Sequence, residues 1–223
     1  MPDVERLSSR VFDAVLFDMD GTLIDSTASV ERSWAQWGRE TGLDPSRWQL
    51  RHGVPARQLL ADAVAPEEVD RAFARIEEIE LVALDGIVVL PGAVEALRGL
   101  PPERLAIVTS STAALAAARI EHTGLPLPAV VVTADDVPLG KPDPAPYLLA
   151  AQRLAVDPVR CLVVEDAPAG LASARGAGCT TLAVATTYSA SELAADAVVG
   201  DLSDVWFETC SDGVRLREAG SPV

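Results

Sequence analysis

The sequence predicts an α/β fold, a doubly wound, Rossmann-like parallel sheet core with an inserted small α-helical domain. Three observations carry this reading. Short apolar runs alternate with helical stretches after residue 90, and parallel strands need such crossovers between neighbours. From Ser26 to Leu84 no strand-like segment interrupts the chain, and an all-helical block between strand-rich blocks reads as an insertion. Four apolar runs also deliver polar residues at their carboxyl side, where open α/β sheets bind ligands. The expected division is a core of residues 1–25 and 90–223 with a helical insert over 26–89.

Taken in order, Val11 to Phe17 reads as the first strand. Val30, Trp34 and Trp37 mark an amphipathic helix that stops at Thr41-Gly42. Pro55 to Val64 and Pro66 to Leu84 read as two more helices, the second opening on Pro-Glu-Glu. Ala93 to Leu100 is a short helix, Leu105 to Val108 a buried strand, and Ala113 to Thr123 a helix stopped by Gly124. Ala129 to Thr133 is a strand, Ala145 to Leu154 a helix, Cys161 to Val164 a strand, and Ala169 to Ala177 a helix closed by Gly178. Thr181 to Ala185 and Ala197 to Val199 are short strands, and Val205 to Phe207 with Val214 to Leu216 suit a terminal hairpin.

Composition narrows the classes. The 223 residues are 49% hydrophobic but only 4% aromatic, so the core must be built mainly from Ala, Val and Leu. A formal charge of −15 and a pI near 4.4 argue against nonspecific binding to nucleic acid or an anionic membrane. An anionic substrate would need a local metal or cation. The three cysteines (Cys161, Cys179, Cys210) match no zinc pattern and no disulfide framework. Met1 to Arg10 has no apolar signal-peptide centre, and no apolar run is long enough to span a bilayer. The expectation is a cytoplasmic protein, with no protein partner implied.

The polar strand ends are Asp18/Asp20, Thr109/Ser110, Lys141 after a short loop, and Glu165/Asp166. Asp18 and Asp20 repel one another unless a cation such as Mg²⁺ sits near them. Together the four sets suit one chemistry. A carboxylate can attack phosphorus, and a second can protonate the leaving oxygen and then activate water. A hydroxyl and an ammonium can hold the phosphoryl oxygens. Each piece has a plainer alternative: an Asp-Gly turn, a helix cap at Thr109 to Ser111, a solvated loop lysine, a Glu-Asp turn. Their shared placement after strands is what favours the site.

These residues resemble the haloacid dehalogenase superfamily, in its phosphatase branch with a small helical cap. The motifs are Asp18-Met19-Asp20-Gly21-Thr22, Ile107-Val108-Thr109-Ser110, Gly140-Lys141-Pro142-Asp143-Pro144 and Val163 to Gly170. The resemblance implies that Asp18 is the nucleophile and a metal ligand. It makes Asp20 the general acid/base, with its backbone carbonyl on Mg²⁺. Thr109 and the Ser110 N–H would bind the phosphoryl group, with Met19 and Gly21 offering backbone N–H groups. Lys141 would pair with the phosphoryl oxygens and with Asp18. Asp166 would complete the metal site, with Glu165 a direct or water-mediated ligand.

The same resemblance prunes the outcomes. Dehalogenases of this fold lack the second aspartate, which is present here. Phosphonate-cleaving relatives use a cap lysine, and Ser26 to Leu84 contains none. Relatives of the β-phosphoglucomutase type carry a histidine where this chain has Val30, so a phosphosugar mutase is the weaker alternative to a hydrolase. His52-Gly53, Leu90-Pro91-Gly92-Ala93 and Val131 to Val137 resemble the sugar-phosphate and polyol-phosphate phosphatases. The implied ligand is a small phosphorylated metabolite. Arg51, His52 and Arg57 are candidates for contacts to it from the cap, or else surface charge and a structural histidine; Arg47 and Arg71 have weaker claims. Asp25-Ser26 and Leu90-Pro91 are the expected hinge strands.

Overall fold

A computed structural model describes residues 2–43 and 52–220. Its central sheet has six parallel strands in the order β5-β4-β1-β6-β7-β8. These are β1 (Ala14–Phe17), β4 (Leu105–Val108), β5 (Val130–Val132), β6 (Cys161–Glu165), β7 (Thr180–Val184) and β8 (Ala197–Val199). Strands β1, β4, β6 and β7 are buried along their whole length, which is why they read as unbroken apolar runs. Chain order grows outward on one side of β1 through β4 and β5, then returns to the other side at β6. That reversal makes the carboxyl edge around β1 the place where a crevice opens. Phe17 is level with Ile107 on one neighbour and with Val164 on the other, so the residues that follow reach the same edge together.

Alternate side chains of β1 face two separate clusters, as the two-residue period requires. Ala14 and Leu16 meet Tyr147, Ala150 and Ala151 of α7 (Ala145–Arg153) and Ala174 of α8 (Pro168–Gly176). Val15 and Phe17 meet the other layer, which includes Ala93, Ala96 and Leu97 of α5 (Ala93–Arg98) and Ala116 and Ile120 of α6 (Ala113–Thr123). A hairpin of β9 (Val205–Cys210) and β10 (Gly213–Glu218) closes that layer, with Phe207 edge-on to Phe17 at 5.6 Å. The amino-terminal α1 (Pro2–Ser8) packs on β10 through buried Val4 and Leu7. The polar sequence of this segment predicts no element, because a seven-residue helix exposes too few turns to show a period.

Residues between β2 (Ile24–Asp25) and β3 (Val88–Val89) form α2 (Thr27–Thr41), α3 (Ala56–Ala63) and α4 (Val69–Val82). These helices surround their own apolar cluster, in which Trp34 and Trp37 meet edge-on at 5.9 Å beside Leu59, Leu60, Ile76 and Ile79. Gly42 ends α2 in the left-handed region at φ 69°, a conformation glycine takes without steric cost. Pro66–Glu68 forms a separate 3-10 turn ahead of α4 where the sequence suggested one continuous helix. The crossing strands pair Ile24 with Val89 and Asp25 with Val88, one and two residues earlier in the chain than the expected Asp25-Ser26 and Leu90-Pro91. Ser26 already occupies the cap position of α2, and Pro91 has no N–H to add to a ladder. Among the described residues no helix is long and apolar enough to cross a membrane.

Candidate active site

The turn after β1 is tight. The N–H groups of Leu23 and Ile24 both donate to the Met19 carbonyl, at 2.8 and 3.0 Å, and the Gly21 N–H donates to the Ile24 carbonyl at 2.7 Å. Gly21 has φ +92°, and a Cβ there would lie 2.0 Å from Asp166 Oδ2. Only glycine lets this turn come down beside Asp166. The Gly21 N–H is thus engaged in the turn, and the missing side chain leaves room beside Asp166. The Met19 side chain is buried in the core.

Lys141 is 1% exposed. Its ammonium donates to Asp18 Oδ1 at 2.5 Å, to Glu165 Oε1 at 2.7 Å and to the Val108 carbonyl at 3.0 Å, which uses all three of its protons. Asp18 and Glu165 hold its proton more tightly than burial loosens it, so its pKa is raised. Glu165 Oε1 also accepts from the Tyr147 hydroxyl at 3.0 Å, and Oε2 accepts the N–H groups of Asp166 and Ala167, each at 3.0 Å. Four donors account for the lone-pair sites of one carboxylate. A Cβ at Gly170 would fall 1.6 Å from Glu165 Oε1, so the helix start of α8 can approach this carboxylate only as glycine.

Asp18, Glu165 and Asp166 bring carboxylate oxygens within 4.8 Å of one another, all buried. Asp18 Oδ2 has no hydrogen-bond partner among the described residues. Neither oxygen of Asp166 has a partner of good geometry, the Thr187 hydroxyl being its weak neighbour. Burial raises the Asp18 carboxyl to about 7, with Lys141 pulling the other way and Glu165 adding repulsion. Burial and the charges of Glu165 and Asp18 push Asp166 well above the usual carboxylate range. One ammonium faces three carboxylates, and the free oxygens belong to Asp18 and Asp166. An all-oxygen donor set with excess negative charge suits a hard divalent cation such as Mg²⁺.

Asp20 sits in different surroundings. Its Oδ1 accepts from the Ser26 hydroxyl at 2.7 Å and from Arg119 Nη1 at 2.8 Å. Its Oδ2 accepts from the Ser111 hydroxyl at 3.1 Å and, more weakly, from Thr109 Oγ1 at 3.4 Å. Thr112 caps α6 by accepting the Leu115 N–H at 3.3 Å, so Thr109 to Ser111 are left for the site. The Ser110 hydroxyl donates to the Gly53 carbonyl at 2.8 Å, a contact from sheet edge to helical insert. Sequence reasoning missed Arg119 and Ser111. Arg119 has a readable signal: it stands on the buried stripe of α6 with Leu115, Ala116 and Ile120, where an apolar residue is expected.

Between the sheet edge and the insert lies a cavity of about 940 Å³, lined by Asp18, Asp20 and Thr109 below and by Val30, His52 and Phe73 above, among others. The His52 ring meets Tyr188 edge-on at 6.4 Å. Arg57 also lines the cavity, is paired with Asp70 at the solvent-exposed side and lies over the Phe73 ring, 4.6 Å from its centroid. Arg51 and Arg47 lie outside the described residues. Glu80 of α4 is buried, and desolvation raises it to about 7 against the pull of Arg119.

Known proteins share this chain's features. The profile of the haloacid dehalogenase-like hydrolases matches residues 12–178. Hexitol phosphatase A of Escherichia coli (strain K12) is 47% identical over 175 residues, covering 76% of this chain and 81% of the relative. Validoxylamine A 7'-phosphate phosphatase of Streptomyces hygroscopicus subsp. limoneus is 38% identical over 205 residues, 87% of this chain and 96% of the relative. The crystal structure of a hydrolase from Pseudomonas syringae superposes with a TM-score of 0.76 at 27% identity, covering 85% of this chain and 94% of that one. The chain belongs to the haloacid dehalogenase-like hydrolases.

Proposed function

We propose that the protein is a Mg²⁺-dependent phosphomonoesterase for a small sugar or polyol phosphate, working through an aspartyl-phosphate. The observation that carries this is the contrast between two carboxylates on one turn. Asp18 has an uncommitted buried oxygen beside Lys141, while Asp20 is held by hydroxyls and a guanidinium on the cavity side. One oxygen of the Asp18 carboxylate attacks phosphorus, and the bond to the leaving oxygen breaks as that oxygen takes a proton from Asp20. Asp20 then removes a proton from water, which attacks the phosphoryl group and frees Asp18 and inorganic phosphate. Thr109 and the Ser110 N–H steady the phosphoryl oxygens, and Lys141 adds its charge beside them while it holds Asp18. Asp18, Asp166 and the Asp20 carbonyl would hold Mg²⁺, with Glu165 contributing its charge. Bound there, the ion would offset the charge that builds on the phosphoryl oxygens.

Residues 26–89 act in this reading as a cap that shields the aspartyl-phosphate from bulk water. His52 and Arg57 line the cavity and are its candidate contacts to the substrate's hydroxyls or phosphate. The phosphatase activities in the names of two relatives support a phosphate ester substrate. Val30 lines the cavity with an apolar side chain, which offers a mutase no base at that position. A panel of sugar and polyol phosphates, incubated with protein and Mg²⁺, should release inorganic phosphate from some members. Isomerised sugar phosphate without stoichiometric phosphate would overturn the hydrolase reading.

A further inference from the structure

Arg119 is 3% exposed and reaches the site from the middle of α6. Nη1 donates to Asp20 Oδ1 at 2.8 Å and to Ser111 Oγ at 3.0 Å, and the Ser111 hydroxyl donates in turn to Asp20 Oδ2 at 3.1 Å. One arm of the guanidinium thereby sets both oxygens of Asp20, one directly and one through Ser111. Nη2 lies 3.8 Å from Glu80 Oε1 on cap helix α4. One turn earlier on that helix, Glu77 Oε1 accepts the Thr112 hydroxyl at 2.6 Å. Nε has no partner among the described residues.

We propose that Arg119 is a positioning residue for Asp20, seated from the cap side by Glu80. The inference rests on Asp20 being the acid and base of the reaction proposed above. A buried arginine that only braced the fold would satisfy its donors within its own layer. This one leaves Nε unpaired and aims its forked end at a carboxylate that must exchange protons. Guanidinium does not give up its proton in proteins, so it can orient Asp20 without competing with it as an acid. Glu80 comes from the cap and Asp20 from the core, so the oriented carboxylate belongs to the arrangement in which α4 lies over the site.

Leaving-group dependence tests this, because kcat/KM reports steps only up to departure of the leaving group. An alkoxide needs the proton from Asp20, whereas 2,4-dinitrophenolate leaves without one. With Arg119→Met, kcat/KM for the best alkyl phosphate of the panel should fall about 10- to 100-fold. For 2,4-dinitrophenyl phosphate it should fall less than about 3-fold, on the same proton-transfer argument. Arg119→Lys should recover part of the loss, and Glu80→Gln should show the same bias at smaller size. Equal losses on both esters would overturn the proposal, as would no loss on either. Should Arg119→Met not fold, Arg119→Lys and Glu80→Gln carry the test with the same two outcomes. A wild-type protein that turns over neither ester would sink the phosphatase reading itself, and that result is read before any variant.

Discussion

Lys141 Nζ stands 2.5 Å from Asp18 Oδ1 and 2.7 Å from Glu165 Oε1, so a single buried ammonium holds two strand-end carboxylates in register. Lys141→Met leaves Asp18, Glu165 and Asp166 together with no cation of the protein among them. Breaking one side of a buried ion pair costs about 3–5 kcal/mol. Urea unfolding at neutral pH without Mg²⁺ should show a loss of that order, and phosphate release should fall by at least about 100-fold.

Mg²⁺ and Asp166 should show opposite effects. The wild-type protein should gain about 2.7 kcal/mol when Mg²⁺ reaches a hundred times its dissociation constant, seen as a rise in Tm. Asp166→Asn removes one crowded carboxylate, so without metal it should be at least as stable as wild type. It should nevertheless lose most of the Mg²⁺ response and the activity with it.

Gly21→Ala places a methyl group 2.0 Å from Asp166 Oδ2 at a backbone φ of +92°. Left-handed strain and the clash should together destabilise by at least about 2 kcal/mol. Because the displaced group is Asp166, apparent Mg²⁺ affinity should weaken as well. Thermal melts with and without Mg²⁺ read both effects.

Glu80 gives a pH prediction. Its carboxyl is raised from 4.5 to about 7, burial outweighing Arg119, with Asp20 and Glu77 adding repulsion and Trp34 donating to it. Between those values the folded protein binds more protons than the unfolded chain, so stability falls as pH rises through this window. Glu80→Gln does not ionise. Comparing unfolding at pH 5 and pH 8, wild type should lose roughly 1–3 kcal/mol relative to Glu80→Gln. An equal or opposite change would contradict the burial argument.

Most of the sheet was legible because its inner strands are buried on both faces: Leu105–Val108 falls where its apolar run predicts, and so does the edge strand Ala197–Val199. Helix ends were legible where glycine stops them, as at Gly124, in the left-handed region at φ 65°. The seven residues of α1 and the 3-10 turn at Pro66 were not, since neither shows a period. In the site, Asp18, Asp20, Lys141 and Glu165/Asp166 stood out because each follows a strand. Lys141 carries a further signal: it is the only lysine in a chain whose other cationic side chains are arginines and two histidines. Arg119, Ser111 and Glu80 were hidden because their roles depend on which helix faces lie over the sheet edge. The Gly21 turn and the commitments of Arg57 depend on hydrogen bonds that no motif spells out.

The nucleophilic role of Asp18 is the centre of the account. Rapid acid quench of the protein with Mg²⁺ and its best phosphate ester, followed by peptide mass analysis, tests it most directly. The expected result is a phosphoryl group on Asp18 during turnover, with neither adduct nor phosphate release in Asp18→Asn. Sustained phosphate release by Asp18→Asn, or wild-type turnover with the adduct on another residue, would contradict it.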